Sequence, residues 1–209
     1  MMEVDSWLTG MRGVSLPFTD ECEPLESGPA AFQTLFQAAR ACAQDRGWKY
    51  LEFRGGLTAL TGSLASTSFL GHRLQLHNDE AALFERAESS TKRAVRKAER
   101  GGLTIEFSRS LEAVRAFYEL LRKTRRRHGL PSQPFRFFQN IHRHVLSPNR
   151  GCVALVRHAG RPVAGAVFFH SGKVALYKFG ASDEKYQHLR ANNLAMWEAI
   201  KWHARQGFT

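Results

Sequence analysis

Three strand-length runs follow one another directly after Arg150: GCVALVRH (151–158), RPVAGAVFFH (161–170) and KVALYKFGAS (173–182). Only Ala159-Gly160 and Ser171-Gly172 separate them. Two-residue, glycine-bearing links between β-rich runs favour tight hairpins, so the three predict an antiparallel meander. The stretch FGASDEKY then leads into EKYQHLRANNLAMWEAIKWHARQG. It reads as a single long helix, with apolar residues at 189, 194, 197, 200 and 204. A meander of three strands must bury one face, and the flanking helix is the nearest cover.

Upstream, the pattern is mixed. Residues 1–28 read as irregular, with VSLPFTDECEPLESGP an extended loop. PAAFQTLFQAARACAQDRG has helical periodicity, with Pro29 in the first turn and Gly47 past the end. WKYLEF and SFLGHRLQLH alternate like strands, around a Gly/Ser/Thr loop GGLTALTGSLAST. Residues 79–100 predict one or two helices, capped by Asn78 or Asp79 and then by Ser89 or Ser90, and ended by Gly101-Gly102. LTIEFS reads as a strand. SLEAVRAFYELLRKTRRRHG reads as a helix, capped by Ser110, with a core stripe of Leu111, Val114, Phe117, Tyr118 and Leu121. A further helix starts near Pro134. No repeat of 20–50 residues is visible.

Charge narrows the partners. The chain carries a net +11, and residues 86–127 hold thirteen Lys or Arg against five Glu, so +8 of that excess lies in one fifth of the length. Such a balance favours polyanions: nucleic acid, nucleotide phosphates or an anionic membrane surface. With 43% hydrophobic residues the chain can build a core, which excludes a disordered tail. The three cysteines, Cys22, Cys42 and Cys152, are an odd set and read as reduced thiols of a cytoplasmic protein. No apolar run reaches the ~20 residues of a membrane span, and the acidic start lacks a signal peptide.

Three groups of residues carry candidate chemistry. On a helix, Arg93, Arg96, Lys97 and Arg100 share an arc of about 100°, opposite Ala87, Ala94, Val95 and Ala98. This stripe is either a solvated face or a phosphate or tRNA grip, joined by the RKTRRRHG cluster that contains Arg126. At the strand-to-helix junction, Gly180, Ala181 and Ser182 allow close approach to unpaired N–H groups. There Arg190 adds a charged donor, and Asn192 and Asn193 either cap the helix or face a ligand. Tyr177 and Lys178 end the third strand, where a phenol can donate a proton and an ammonium can hold a carboxylate or phosphate. The alternative for this pair is a cross-strand contact with a snorkelling lysine. The nine histidines show no metal-ligand spacing, and no G-x-S-x-G or G-x-G-x-x-G motif is present, so neither a metal nor a nucleophilic triad is expected.

The ordered segments STKRAVRKAERGGLTIE, FYELLRKTRRRHGLPSQPFRFF, GRPVAGAVFFHSGKVALYKFGAS and LRANNLAMWEAIKWHARQGF resemble those of the Fem-type aminoacyltransferases and their FemAB-like relatives, linked to exopolysaccharide and peptidoglycan-bridge synthesis. VSLPFTDECEPL is similar to a segment that precedes the link between the two halves of those proteins. The resemblance covers most of the chain. It implies an α+β, GNAT-like fold, with an antiparallel-rich mixed sheet flanked by helices. Residues 1–78 would be the remainder of a first GNAT-like half, and 79–209 a second half lacking its last strands. The usual acyl-CoA motif R/Q-x-x-G-x-G/A is replaced by Gln187-His188-Leu189-Arg190-Ala191-Asn192, which has no glycine. Family members that build peptidoglycan bridges take their aminoacyl group from tRNA.

The resemblance implies transfer of an aminoacyl or acyl group to an amine of a cell-envelope precursor, in the cytoplasm or at the inner face of the membrane. No tightly bound cofactor is implied; the donor is aminoacyl-tRNA or acyl-CoA. Tyr177 and Lys178 would be catalytic. Gly180, Ser182, Arg190, Asn192 and Asn193 would hold the donor, and Arg93, Arg96, Lys97 and Arg126 its phosphates. An open sheet edge can pair with a second copy. The rival reading is a polyanion-binding module without activity, or an inert fragment.

Overall fold

A computed structural model describes residues 1–25, 27–55 and 65–209. The chain divides into two units, 1–71 and 72–209.

In the first unit, β1 (Met2–Val4) pairs antiparallel with β2 (Arg12–Val14), and β2 pairs parallel with β3 (Leu51–Glu52). Helix α1 (Pro29–Asp45) connects β2 to β3, with proline in its first turn as its sequence requires. Phe32 is buried, and Phe36 bridges it to Phe53. The reading of 1–28 as irregular missed β1 and β2: three-residue strands exist only through their partners, and so short a run carries no alternation to detect. SFLGHRLQLH, expected as a strand, forms none, and Phe69 and Leu70 stand about nine-tenths exposed. Its alternation supplies local propensity but meets no neighbouring strand among the described residues. The glycine-rich loop expected at 55–67 lies, for 56–64, outside the described residues.

The second unit opens with α2 (Glu80–Glu85), capped by the Asp79 carboxylate on the Ala82 N–H. Helix α3 (Ser89–Glu99) follows Glu88 rather than a serine cap. A four-stranded antiparallel sheet comes next in the order β4-β5-β6-β7. Its strands are β4 (Leu103–Ser108), β5 (Gly151–His158), β6 (Arg161–Ser171) and β7 (Val174–Ser182). The first hairpin turns at the expected Ala159-Gly160; the second turns at Gly172-Lys173, one residue later than expected, because Ser171 pairs with Val174.

Between β4 and β5 the chain forms α4 (Leu111–Arg127) and α5 (Phe135–Ile141), which runs on into a π-helical turn to Leu146. Val114, Phe117 and Leu121 of the expected stripe are buried, together with Leu120. They pack with Phe138, Leu146, Val153, Leu155, Val167 and Ala181 on one face of the sheet. Each such side chain contributes about 1.5–3 kcal/mol by leaving water.

The opposite face is covered by α6 (Ala191–Arg205) and α3, where Ala98, Val156, Val163, Ala164, Leu194 and Ala195 pack together. Small residues on both surfaces allow helix and sheet to approach closely.

The single helix expected over 184–207 is broken. A 3-10 turn (Glu184–Leu189) precedes α6, and Arg190 between them takes a left-handed conformation, φ 59° and ψ 31°. A continuous amphipathic pattern cannot signal this break, because the residue adopting positive φ is not glycine. The break also rotates the buried stripe: Leu194, Ala195, Ala199, His203 and Ala204 are buried, while Trp197 and Ile200 are only partly so.

Candidate functional site

The site begins with an irregularity in β7. Phe168 of β6 faces Tyr177, and the next residue, Val167, faces Phe179, so Lys178 is an extra residue, a β-bulge. In a regular strand Tyr177 and Phe179 would share a face. With the bulge, Phe179 packs on the α4 side, whereas Tyr177 lies against Phe168 on the α6 side, ring centroids 5.6 Å apart. The Tyr177 hydroxyl then lies over Gly180, where any Cβ would collide with it. This close approach is why position 180 is glycine.

A cleft of about 250 Å³ opens here. Tyr177, Gly180 and Ser182 of β7 line it, facing Thr124 and Arg127 of α4 and Asn192 and Met196 of α6. Nearly half of Tyr177 is exposed, but its hydroxyl end is turned inward, and desolvation there raises its pKa. The phenol is therefore a proton donor at neutral pH and not a base. Ser182 is buried; its hydroxyl accepts a hydrogen bond from the Asn192 side-chain amide at 3.1 Å. That bond ties the end of β7 to the first turn of α6. No side chain caps α6, so its positive end faces this region uncapped.

The 3-10 turn is closed by its own acid: Asp183 accepts from the Lys185 N–H at 3.1 Å. The Lys123 ammonium, 2.6 Å away, holds the Asp183 carboxyl below the usual range. The anion-accepting helix start expected directly after the strand is thus displaced to Ala191.

Of the residues singled out in the sequence, Tyr177, Gly180, Ser182 and Asn192 meet in the cleft. Lys178 stands on the bulge beside it, and Arg190 and Asn193 flank the start of α6. Arg93, Arg96 and Lys97 lie on the exposed face of α3, with Val95 and Ala98 buried beneath. Arg96 is drawn over the Phe84 ring. The tail of α3 reaches the junction, where Leu189 packs beside Gly101. Arg126 is exposed on α4, and it is its neighbour Arg127 that lines the cleft. Thr124 and Met196 went unnoticed. Thr124 sits one helical turn before Arg127, a spacing that could have linked it to the basic run.

A second cavity, about 450 Å³, lies at the other end of the sheet, lined by Arg109, Arg150, His170, Trp202 and Phe208 among others. Beside it three donors from β5, β6 and α6 come together: Cys152, His170 and His203. They lie 18 and 33 residues apart in sequence, which is why no spacing signalled them.

Residues 85–209 match the family described as acetyltransferase (GNAT) domain. The chain belongs to this family. Its helices on both faces of an antiparallel sheet are the GNAT-like architecture, and acyl transfer is the chemistry that the family membership supports. The crystal structure of FemX superposes with a TM-score of 0.65 at 15% identity, over 88% of this chain and 67% of that one. At that identity the likeness shows the fold. An aminoglycoside acetyltransferase from an uncultured soil metagenomic sample, solved with sisomicin, scores 0.43 at 16% identity, over 53% of this chain and 75% of that one. A C-terminal DUF2156 domain from Agrobacterium fabrum scores 0.45 at 15% identity, over 62% and 42%. No curated protein matches. Among the described residues, no helix of this GNAT domain is long and apolar enough to cross a membrane.

Proposed function

We propose that the unit spanning 72–209 moves an acyl or aminoacyl group from a phosphate-bearing donor to an amine, with aminoacyl-tRNA as the foremost donor and an amine of a cell-envelope precursor as acceptor. The observation that carries this reading is the Tyr177 hydroxyl, held over Gly180 in the cleft.

The chemistry needs no enzyme nucleophile. The neutral acceptor amine attacks the donor carbonyl and forms the C–N bond; the C–O bond of an ester, or the C–S bond of a thioester, then breaks. Tyr177 gives its proton to the departing oxygen or sulfur, and the surplus proton of the amine returns through water to the phenolate. One proton passes in net from amine to leaving group. The uncapped start of α6 favours the oxyanion that develops between these steps.

Donor phosphates are met by Arg127 in the cleft and Arg190 at its rim. Lys178 and the exposed Arg93, Arg96, Lys97 and Arg126 extend the positive field, which suits a long polyanion better than a single pyrophosphate. Arg190 in place of the glycine of the acyl-CoA motif supports the same preference. In this reading residues 1–78 are the remainder of a first GNAT-like half.

Single-turnover transfer from aminoacyl-tRNA and from acyl-CoA to a panel of amines tests the reading. Tyr177→Phe is expected to lower the rate by ~100-fold or more while donor affinity is kept. Retained binding of either polyanion with no transfer from either donor overturns the proposal and leaves a charge-driven binding module.

A further inference from the structure

The three donors beside the larger cavity form an arrangement that acyl transfer does not use. His170 Nε2 and His203 Nε2 are 2.9 Å apart, and Cys152 Sγ is 4.0 Å from His170 Nε2. All three ligand atoms lie within 4.8 Å of one another. Two imidazole nitrogens this close cannot both carry protons.

The tautomers follow from a fourth contact. His203 Nδ1 donates to the Ala199 carbonyl at 2.7 Å, one turn back on the same helix. His203 Nε2 therefore presents a bare lone pair toward Cys152 and His170. A backbone carbonyl accepting from the far nitrogen is the usual orienting bond of a metal-ligating histidine. Cys152 and His203 are buried, and His170 reaches the 450 Å³ cavity, which offers an entry path and room for a water. Phe168, Trp202 and Phe208 pack around the imidazoles and limit other solvent access. Burial holds both imidazoles below their usual range and pushes the Cys152 thiol up to about 12.

We propose that Cys152, His170 and His203 bind one divalent cation of the zinc class, with a water from the adjoining cavity as fourth ligand.

A tetrahedral site with bonds of about 2.1 Å to nitrogen and 2.3 Å to sulfur separates its ligand atoms by about 3.4–3.6 Å. The observed 2.9 and 4.0 Å need shifts of about half an ångström, and the Cys152–His203 separation, within 4.8 Å, closes by at most about 1.2 Å. On binding, Cys152 loses its proton to solvent and the thiolate–metal bond forms. The proton on His170 Nε2 moves to Nδ1, so one proton is released per ion. Arg109, its Nε bonded to the Gly151 carbonyl, and Arg150 also line the cavity and are charges that oppose the cation.

Titration of the intact chain with Co²⁺ tests the site. The expected result is one ion per chain, a thiolate-to-cobalt charge-transfer absorption, one proton released, and reversal by Zn²⁺. The Cys22→Ser/Cys42→Ser double variant should keep all of these. His170→Ala, at a partly exposed position, should lose at least about 100-fold in affinity without unfolding. Cys152→Ala should lose the absorption band. Absence of the band at stoichiometric Co²⁺, or a band of undiminished affinity in His170→Ala, overturns the proposal; the latter outcome alone suffices if Cys152→Ala fails to fold.

Discussion

Thr124 grips the backbone of Ser182 from both sides: its hydroxyl donates to the Ser182 carbonyl at 3.1 Å and accepts from the Ser182 N–H at 3.0 Å. A side chain thus takes the place of a neighbouring strand at the end of β7 and fixes one wall of the cleft. Thr124→Val keeps the shape and removes both bonds, leaving buried backbone groups unpaired. The expected loss is about 1–3 kcal/mol in urea unfolding, with Thr124→Ser close to the original. A loss in Thr124→Ser with Thr124→Val unchanged would show that the methyl, not the hydroxyl, matters.

Gly180 sets the position of Tyr177. Gly180→Ala places a Cβ where the phenol oxygen lies, so the ring must swing away. A displacement of about 1 Å at a reacting group costs about 100-fold in rate. Transfer by Gly180→Ala should approach that of Tyr177→Phe, with the donor KM little changed. Near-normal turnover would remove Tyr177 from the chemistry.

Arg190 is held at positive φ, where a Cβ costs about 1–2 kcal/mol. Arg190→Gly should stabilise the unit by about 1 kcal/mol in chemical denaturation while weakening donor binding. Arg190→Ala keeps the Cβ and should give no such gain, which separates backbone relief from loss of charge.

The Asp183–Lys123 pair predicts an acid-side effect. Lys123 holds the Asp183 carboxyl below its unfolded value of about 3.9, so the pair stabilises above that pH. The contribution fades as pH falls through the lower, folded value. Lys123→Met should cost about 0.5 kcal/mol near neutrality, and its stability curve should converge with the parent in strong acid. Parallel curves throughout would mean that the pair is not coupled to folding.

Much of the second unit was legible because its signals are local. The dipeptide links announce both hairpins, Ser110 caps α4 as its spacing requires, and the burial of Val95 and Ala98 follows from helical phase. What escaped depends on partners. SFLGHRLQLH alternates well but has no strand beside it, and β1 to β3 exist only as pairs. The kink at Arg190 hid because the residue that bends is not the one that bends easily. In the cleft, Tyr177, Gly180, Ser182 and Asn192 could be found along one junction, whereas Thr124 arrives from a helix 58 residues away. The Cys152–His170–His203 group was unreadable for the same reason.

The extra residue at Lys178 divides β7 into two segments of opposite phase. Odd-numbered positions before the bulge share the α6 side with Tyr177, whereas odd-numbered positions after it, Phe179 and Ala181, share the α4 side. Deleting that one residue would make Tyr177 and Phe179 direct neighbours on opposite faces of an unbroken strand, so a single-codon loss would straighten the edge and leave the phenol on its own side of the sheet.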